Sequence, residues 1–265
     1  MARLIWILLA CCTCAHAQPS VPAVSIANSE QREIIADRTG QRYELLVSLP
    51  SDYSLTQQRY PVLFVLDGWH FPLMAFIQDN NRFSRRMPPL VIVNISHGTR
   101  NATSLRTHDF TPSQVAGVPG SGGAEDFLEF LEHQLIPFVD RNFRTDPTDR
   151  ALFGHSHGGL FALYALQQRP KLFQRIVASS PTVGWDKRAL FQPSKLKNFD
   201  PPVRLDLSVE SEPRFRGDVV AFAALLDELK PSGLTYRMTI YEGESHNSVR
   251  LPAIPSGLYW VYGHP

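Results

Sequence analysis

The sequence predicts an α/β architecture, a mostly parallel sheet covered on both faces by helices, and three observations predict it. Short β-prone runs recur at 43–49, 62–66, 90–95, 151–153, 175–178, 205–209 and 234–241, several apolar enough to be buried on both faces. Helical patterns at 124–141, 160–168, 218–229 and 248–261 fall between and after the later runs. No internal repeat, low-complexity tract or composition shift divides the chain, so 18–265 reads as one domain.

Ahead of that domain, residues 1–17 have the pattern of a secretory signal peptide. Met1-Ala2-Arg3 supplies one positive charge, Leu4 to Ala10 an apolar core too short to span a bilayer, and Ala15-His16-Ala17 a small-residue cleavage site before Gln18. The expectation is cleavage after Ala17 and a periplasmic or secreted protein. Leu8-Leu9-Ala10-Cys11 loosely resembles a bacterial lipobox, which would leave Cys11 lipidated, but the short run before it and the Ala-x-Ala site favour cleavage. All three cysteines lie in this leader, so neither disulfides nor thiol chemistry are expected of the mature chain. Near balance of 26 basic and 25 acidic residues gives no long-range attraction to nucleic acid or anionic lipid. No later stretch approaches membrane-spanning length.

The strand at 62–66 ends in Asp67-Gly68-Trp69, a turn able to aim the amide of Trp69 at a pocket, and 90–95 supplies a second buried strand. Residues 96–123 and 180–202 lack clear periodicity, and loops of that length in a compact domain are usually lids or binding loops. In 124–141, Phe127, Leu128, Leu131, Leu135, Ile136 and Val139 fall at helical spacing. Glu125, Asp126 and Glu129 sit where the helix dipole favours them, and Pro137 is expected to kink the helix.

The strand at 151–153 leads into Gly154-His155-Ser156-His157-Gly158-Gly159, and the helix at 160–168 follows. Gly-x-Ser-x-Gly between a strand and a helix is the sequence of a nucleophile elbow, a tight turn that lifts a serine hydroxyl above the sheet. Glycines at 154 and 158 leave no Cβ to collide where strand and helix approach, and the helix N-terminus favours a developing oxyanion.

A serine nucleophile needs a base and the base an orienting acid, in the chain order Ser, Asp/Glu, His. Past the strand at 205–209 stand Glu210 and Glu212, and past the strand at 234–241 stands His246 in a Gly/Ser-rich loop. His246 is the candidate base. Glu212, on the loop beyond the strand, is preferred over Glu210 as the acid, with Asp206 or Asp218 candidates only in a different strand register. Of the other histidines, His155 and His157 flank the nucleophile and should diverge from it. His70, His97 and His108 lie on loops after strands, and His133 on a helix surface. His155-x-His157 has no accompanying carboxylate or cysteine cluster, so no metal and no other cofactor is expected. The amides of His157 and Trp69 are the candidate oxyanion donors. Gly68, Phe71, Phe110, Trp69 and Trp185 are candidates for the pocket.

Taken together, 62–69, 109–112, 122–144, 149–159, 178–185 and 242–249 resemble the esterase family related to esterase D, most closely its secreted and periplasmic branch with siderophore trilactone esterases. The likeness spans 31–262. It implies an α/β-hydrolase fold and hydrolysis of carboxylic esters of a small-molecule substrate by Ser156 with His246, without a metal. Two departures stand out: His157 replaces the bulky residue of many relatives, and 210–213 lacks a glycine common at that strand end. Some siderophore esterases of the branch resemble a Ser/His dyad, which lowers the demand on Glu212. Acyl transfer on the same site, and a binding protein that has lost turnover, are the competing readings.

Overall fold

The computed structural model describes residues 25–98 and 103–263. The expected leader, with Cys11 and the cleavage point after Ala17, lies outside the described residues. In chain order the strands are β1 (Ser29–Ile35), β2 (Arg42–Ser48), β3 (Tyr60–Leu66), β4 (Val91–Ser96), β5 (Thr145–His155), β6 (Arg175–Ser179), β7 (Asn198–Glu210) and β8 (Ser232–Tyr241). They form one sheet in the spatial order β1-β2-β4-β3-β5-β6-β7-β8. The first two pairings are antiparallel and every later one is parallel. This is the α/β-hydrolase arrangement the sequence implies.

Period-two alternation divides the buried strands between two cores. Val62, Phe64 and Leu66 of β3 enter the larger apolar cluster, while Leu63 and Val65 enter the smaller one on the opposite face. In β6, Ile176 and Val177 divide in the same way. Both faces therefore need cover. The larger cluster is completed by α3 (Ala124–Phe130), α4 (Ile136–Asn142), α5 (His157–Gln168) and α7 (Pro213–Leu229), and the smaller by α1 (Phe71–Ser84) and α8 (Arg250–Tyr262). Two short helices, α2 (Thr103–Phe110) and α6 (Trp185–Arg188), lie in the two segments without periodicity.

The helix expected over 124–141 is continuous, and the irregularity falls ahead of Pro137. A π turn at Leu131–Leu135 lies just ahead of the proline, and its wider loop makes room for a residue that has no N–H to give the turn before it. No helix among the described residues is long and apolar enough to cross a membrane.

Candidate active site

β5 ends at His155, α5 begins at His157, and Ser156 between them has φ 59° and ψ −120°. A positive φ costs a non-glycine residue on the order of 1–3 kcal/mol and persists only where its surroundings impose it. Here they do. Ser156 donates its N–H to Ser179 O (2.9 Å), and its carbonyl accepts from the N–H of Leu160 (2.9 Å) and of Thr182 (3.2 Å). A Cβ on Gly154 would stand 2.0 Å from Gly158 O, so strand and helix can meet only with glycine there.

His246 lies in the loop after β8, and its Nδ1 is 2.8 Å from Glu210 Oε1. Glu210, the last residue of β7, is fully buried, and its Oε2 accepts a hydrogen bond from Ser180 Oγ. Burial opposes ionisation of Glu210, but the hydrogen bonds from His246 and Ser180 outweigh it and hold the carboxyl below its ordinary value. The expected partner Glu212 does not reach His246. It is the exposed N-cap residue of α7, already past the end of the sheet. The correction follows from the alternation along β7: Leu205, Leu207 and Val209 enter the larger core, and Glu210 ends the opposite row.

The His246 ring stacks on Phe215 at 4.2 Å between centroids and lies 4.7 Å from the ring of His155. His155, expected to point away from Ser156, packs its side chain against His246. It is buried, donates to or accepts from Ser179 Oγ at 3.2 Å, and burial holds it well below the usual histidine range. His157, whose pKa burial lowers to about 4, sets its ring edge-on to Trp185 at 5.4 Å.

Ser156, His157, Trp185, Arg214, Phe215 and His246 line a single cavity of about 470 Å³. Trp185 is therefore placed where the sequence suggests. Phe110 and Gly68 are not among the lining residues. Phe110 ends α2 pointing into the core, fully buried against Phe127 at 5.5 Å and Phe161 at 5.8 Å. Gly68 lies against β4, where a Cβ would come within 2.5 Å of Ser96 Cβ. Trp69 is 58% exposed in the one-turn 3-10 helix Gly68–His70. The turn's closing bond is from His70 N–H to Asp67 O (3.1 Å), so the amides of Gly68 and Trp69 have no acceptor within it. The His157 amide opens α5 in the same way.

Of the remaining histidines, His70 and His97 are buried, and His97 shares the carboxylate of Asp109 with His108 and Tyr43. His133 is exposed beside Glu129 and Glu132. Among the described residues no group of three or more His, Cys, Asp or Glu side chains is arranged to hold a metal ion. Arg214 and Phe215 are not singled out by the sequence. Their signal is Pro213, which starts a helix three residues after Glu210 and turns its first residues back toward His246.

A family model described as "Putative esterase" matches residues 36–223. The ferri-bacillibactin esterase BesA of Bacillus subtilis is 28% identical over 270 residues, covering 92% of each chain. The siderophore enterobactin esterase of Emericella nidulans is 28% identical over 86% of this chain and 91% of its own. Among solved structures, the BES protein from Bacillus cereus superposes with a TM-score of 0.83 at 27% identity, over 94% of this chain and all of that one. Siderophore hydrolase EstB from Aspergillus nidulans gives 0.77 at 26% identity, over 92% and 97% of the two chains. The chain belongs to this esterase family and is a carboxylic ester hydrolase.

Proposed function

We propose that the protein hydrolyses ester bonds of a siderophore with Ser156 as nucleophile, His246 as general base and acid, and Glu210 as the group that orients His246. The observation that carries the reading is the 2.8 Å contact of His246 Nδ1 with buried Glu210, on a histidine that shares one cavity with Ser156. With Nδ1–H donated to the carboxylate, Nε2 is left to take the proton of Ser156 Oγ as it attacks the ester carbonyl. The tetrahedral oxyanion is held by the amides of His157 and Trp69. Collapse expels the alcohol, which receives the proton from His246, and water then repeats the sequence to release the acid from Ser156. Glu210 stabilises the imidazolium formed in each half without itself becoming protonated.

Siderophore esters are favoured over other esters by the names and coverage of the relatives above, and by the walls of the cavity. Trp185 and Phe215 offer flat aromatic surface, and Arg214 a cation, to an anionic, aryl-bearing substrate. Export to the periplasm or medium belongs to the same reading and rests on residues 1–17. The test is to incubate purified protein with an organophosphonate, locate the label by peptide mass spectrometry, and compare kcat/KM on siderophore trilactones, feruloyl esters and p-nitrophenyl esters. Label on Ser156 with trilactones preferred supports the proposal. Equal or better turnover of the simple esters would remove the siderophore assignment.

A further inference from the structure

The two segments that carry the candidate oxyanion amides are not joined by the sheet. β3 and β5 are parallel neighbours whose last paired residues are Val65 and Phe153. Two residues beyond that point on either strand stand Asp67 and His155, and there the ladder is replaced by a side chain. Arg106 of α2 places Nε 2.7 Å from Asp67 Oδ1 and one terminal nitrogen 2.9 Å from Asp67 Oδ2. The same terminal nitrogen is 3.1 Å from His155 O.

Each end of this bridge is next to a strained residue and a donor amide. Asp67 has φ 69° and immediately precedes Gly68-Trp69, while His155 immediately precedes Ser156, at φ 59°, and His157. The Asp67 carboxylate is fully buried, and it lies against the first turn of α5, 3.5 Å from where a Cβ on Gly158 would be. Burial raises the Asp67 carboxyl above its ordinary value, against the attraction of Arg106. Arg106 is the partner that keeps a charge there tolerable. The guanidinium is in turn fixed between two rings, 5.6 Å from that of Trp69 and 5.3 Å from that of Phe110. This is why Phe110 matters to the site although it does not line it.

We propose that Arg106 is a positioning residue for the oxyanion hole, a clamp that sets the separation of the Trp69 and His157 amides by binding Asp67 and the His155 carbonyl together. The inference rests on the serine-hydrolase reading above. A planar fork is needed for the role, since the two parallel bonds to Asp67 fix orientation as well as distance and a lysine ammonium fixes neither.

The test uses the full chain with Arg106→Met, Arg106→Lys and Asp67→Asn, assayed on p-nitrophenyl acetate and inhibited by phenylboronic acid, whose tetrahedral serine adduct mimics the oxyanion. Arg106→Met should lower kcat about 100-fold with KM changed less than about twofold, the expected cost of a small misplacement at reacting atoms. The inhibition constant of phenylboronic acid should rise in step with the fall in kcat/KM, because both report the same donors. Arg106→Lys should recover only a minor part of the loss. If Arg106→Met fails to fold by circular dichroism, the volume-conserving Arg106→Lys and Asp67→Asn carry the test. Unchanged kcat with raised KM would make Arg106 a substrate contact and overturn the clamp, as would unchanged boronate affinity. Failure of the wild-type protein itself to hydrolyse the ester or take an organophosphonate label would overturn the hydrolase reading instead.

Discussion

His246 is held by side chains, and the serine opposite it is held by backbone. Glu210 engages one ring nitrogen, Phe215 and His155 contact the ring, and Ser180 secures the carboxylate from behind. Ser156 is fixed by three main-chain hydrogen bonds and by glycines whose missing Cβ atoms permit the turn. Side-chain support can be edited one group at a time. Backbone support is bound into the fold, so of its residues only the Ser156 side chain can be changed without disturbing the turn.

The largest expected effect tests the backbone half. Ser156→Ala removes the nucleophile and leaves the turn intact, so kcat should fall by at least about 1,000-fold while the melting temperature stays near that of the wild type. A variant that kept wild-type turnover would place the chemistry elsewhere. On the side-chain half, Glu210→Gln keeps the shape but weakens orientation and charge support for His246, and a loss in kcat of about 100-fold is expected. Glu212→Gln, at an exposed N-cap, should leave kcat within about twofold. Comparable small losses in both variants, beside an inactive His246→Ala, would mean that Phe215 and His155 hold the histidine without help from an acid.

A smaller effect separates the cavity wall from the core behind it. Trp185→Ala should raise KM for aryl esters about tenfold, the loss of one well-packed aromatic contact, with little change in kcat. Phe110→Leu should lower the melting temperature and leave KM unchanged, because its ring meets Phe127, Phe161 and Arg106 but not the cavity. An altered KM in Phe110→Leu would return that residue to the pocket.

Much of this is legible in the sequence, and the failures share a cause. The buried strands are legible because continuous apolar runs have few other uses, and the elbow because its geometry admits only glycine at 154. β1 is not, since its sequence Ser-Glu-Gln-Arg-Glu-Ile-Ile forms an edge strand with no continuous buried row. α2 is hidden by its polar composition, although two of its eight residues, Asp109 and Phe110, are buried. The partner of His246 is misplaced by two residues because the end of a strand and the loop just beyond it can both carry an acid, and local sequence does not say which carboxylate meets a histidine 36 residues away. β7 runs on to Glu210, paired with Tyr241 of β8, and that pairing is a tertiary fact. Arg106 has no signal, since its partners Asp67 and His155 are remote in the chain. Side-chain support assembled from distant segments is what a single sequence reveals least.

The smallest effect concerns three histidines that the fold keeps uncharged. Burial lowers His70 to about 3 and His157 to about 4, and holds His155 well below the usual range. In the unfolded chain each would take up a proton near its ordinary value, about 6.5. The unfolded state then binds more protons than the native state as pH falls below about 6.5, so stability must fall with it, and the loss continues until the folded-state values are reached. Urea denaturation at pH 7 and pH 5 should therefore give a lower midpoint at pH 5. His157→Asn should reduce that difference by on the order of 1 kcal/mol, a figure discounted because His157 is only partly buried. The side chain at 157 is distinct from the amide proposed to hold the oxyanion, so the variant should keep most of its turnover at pH 7. A pH dependence of stability that is the same in wild type and His157→Asn would show that this ring titrates freely, and that the wall of the cavity is wetter than its burial implies.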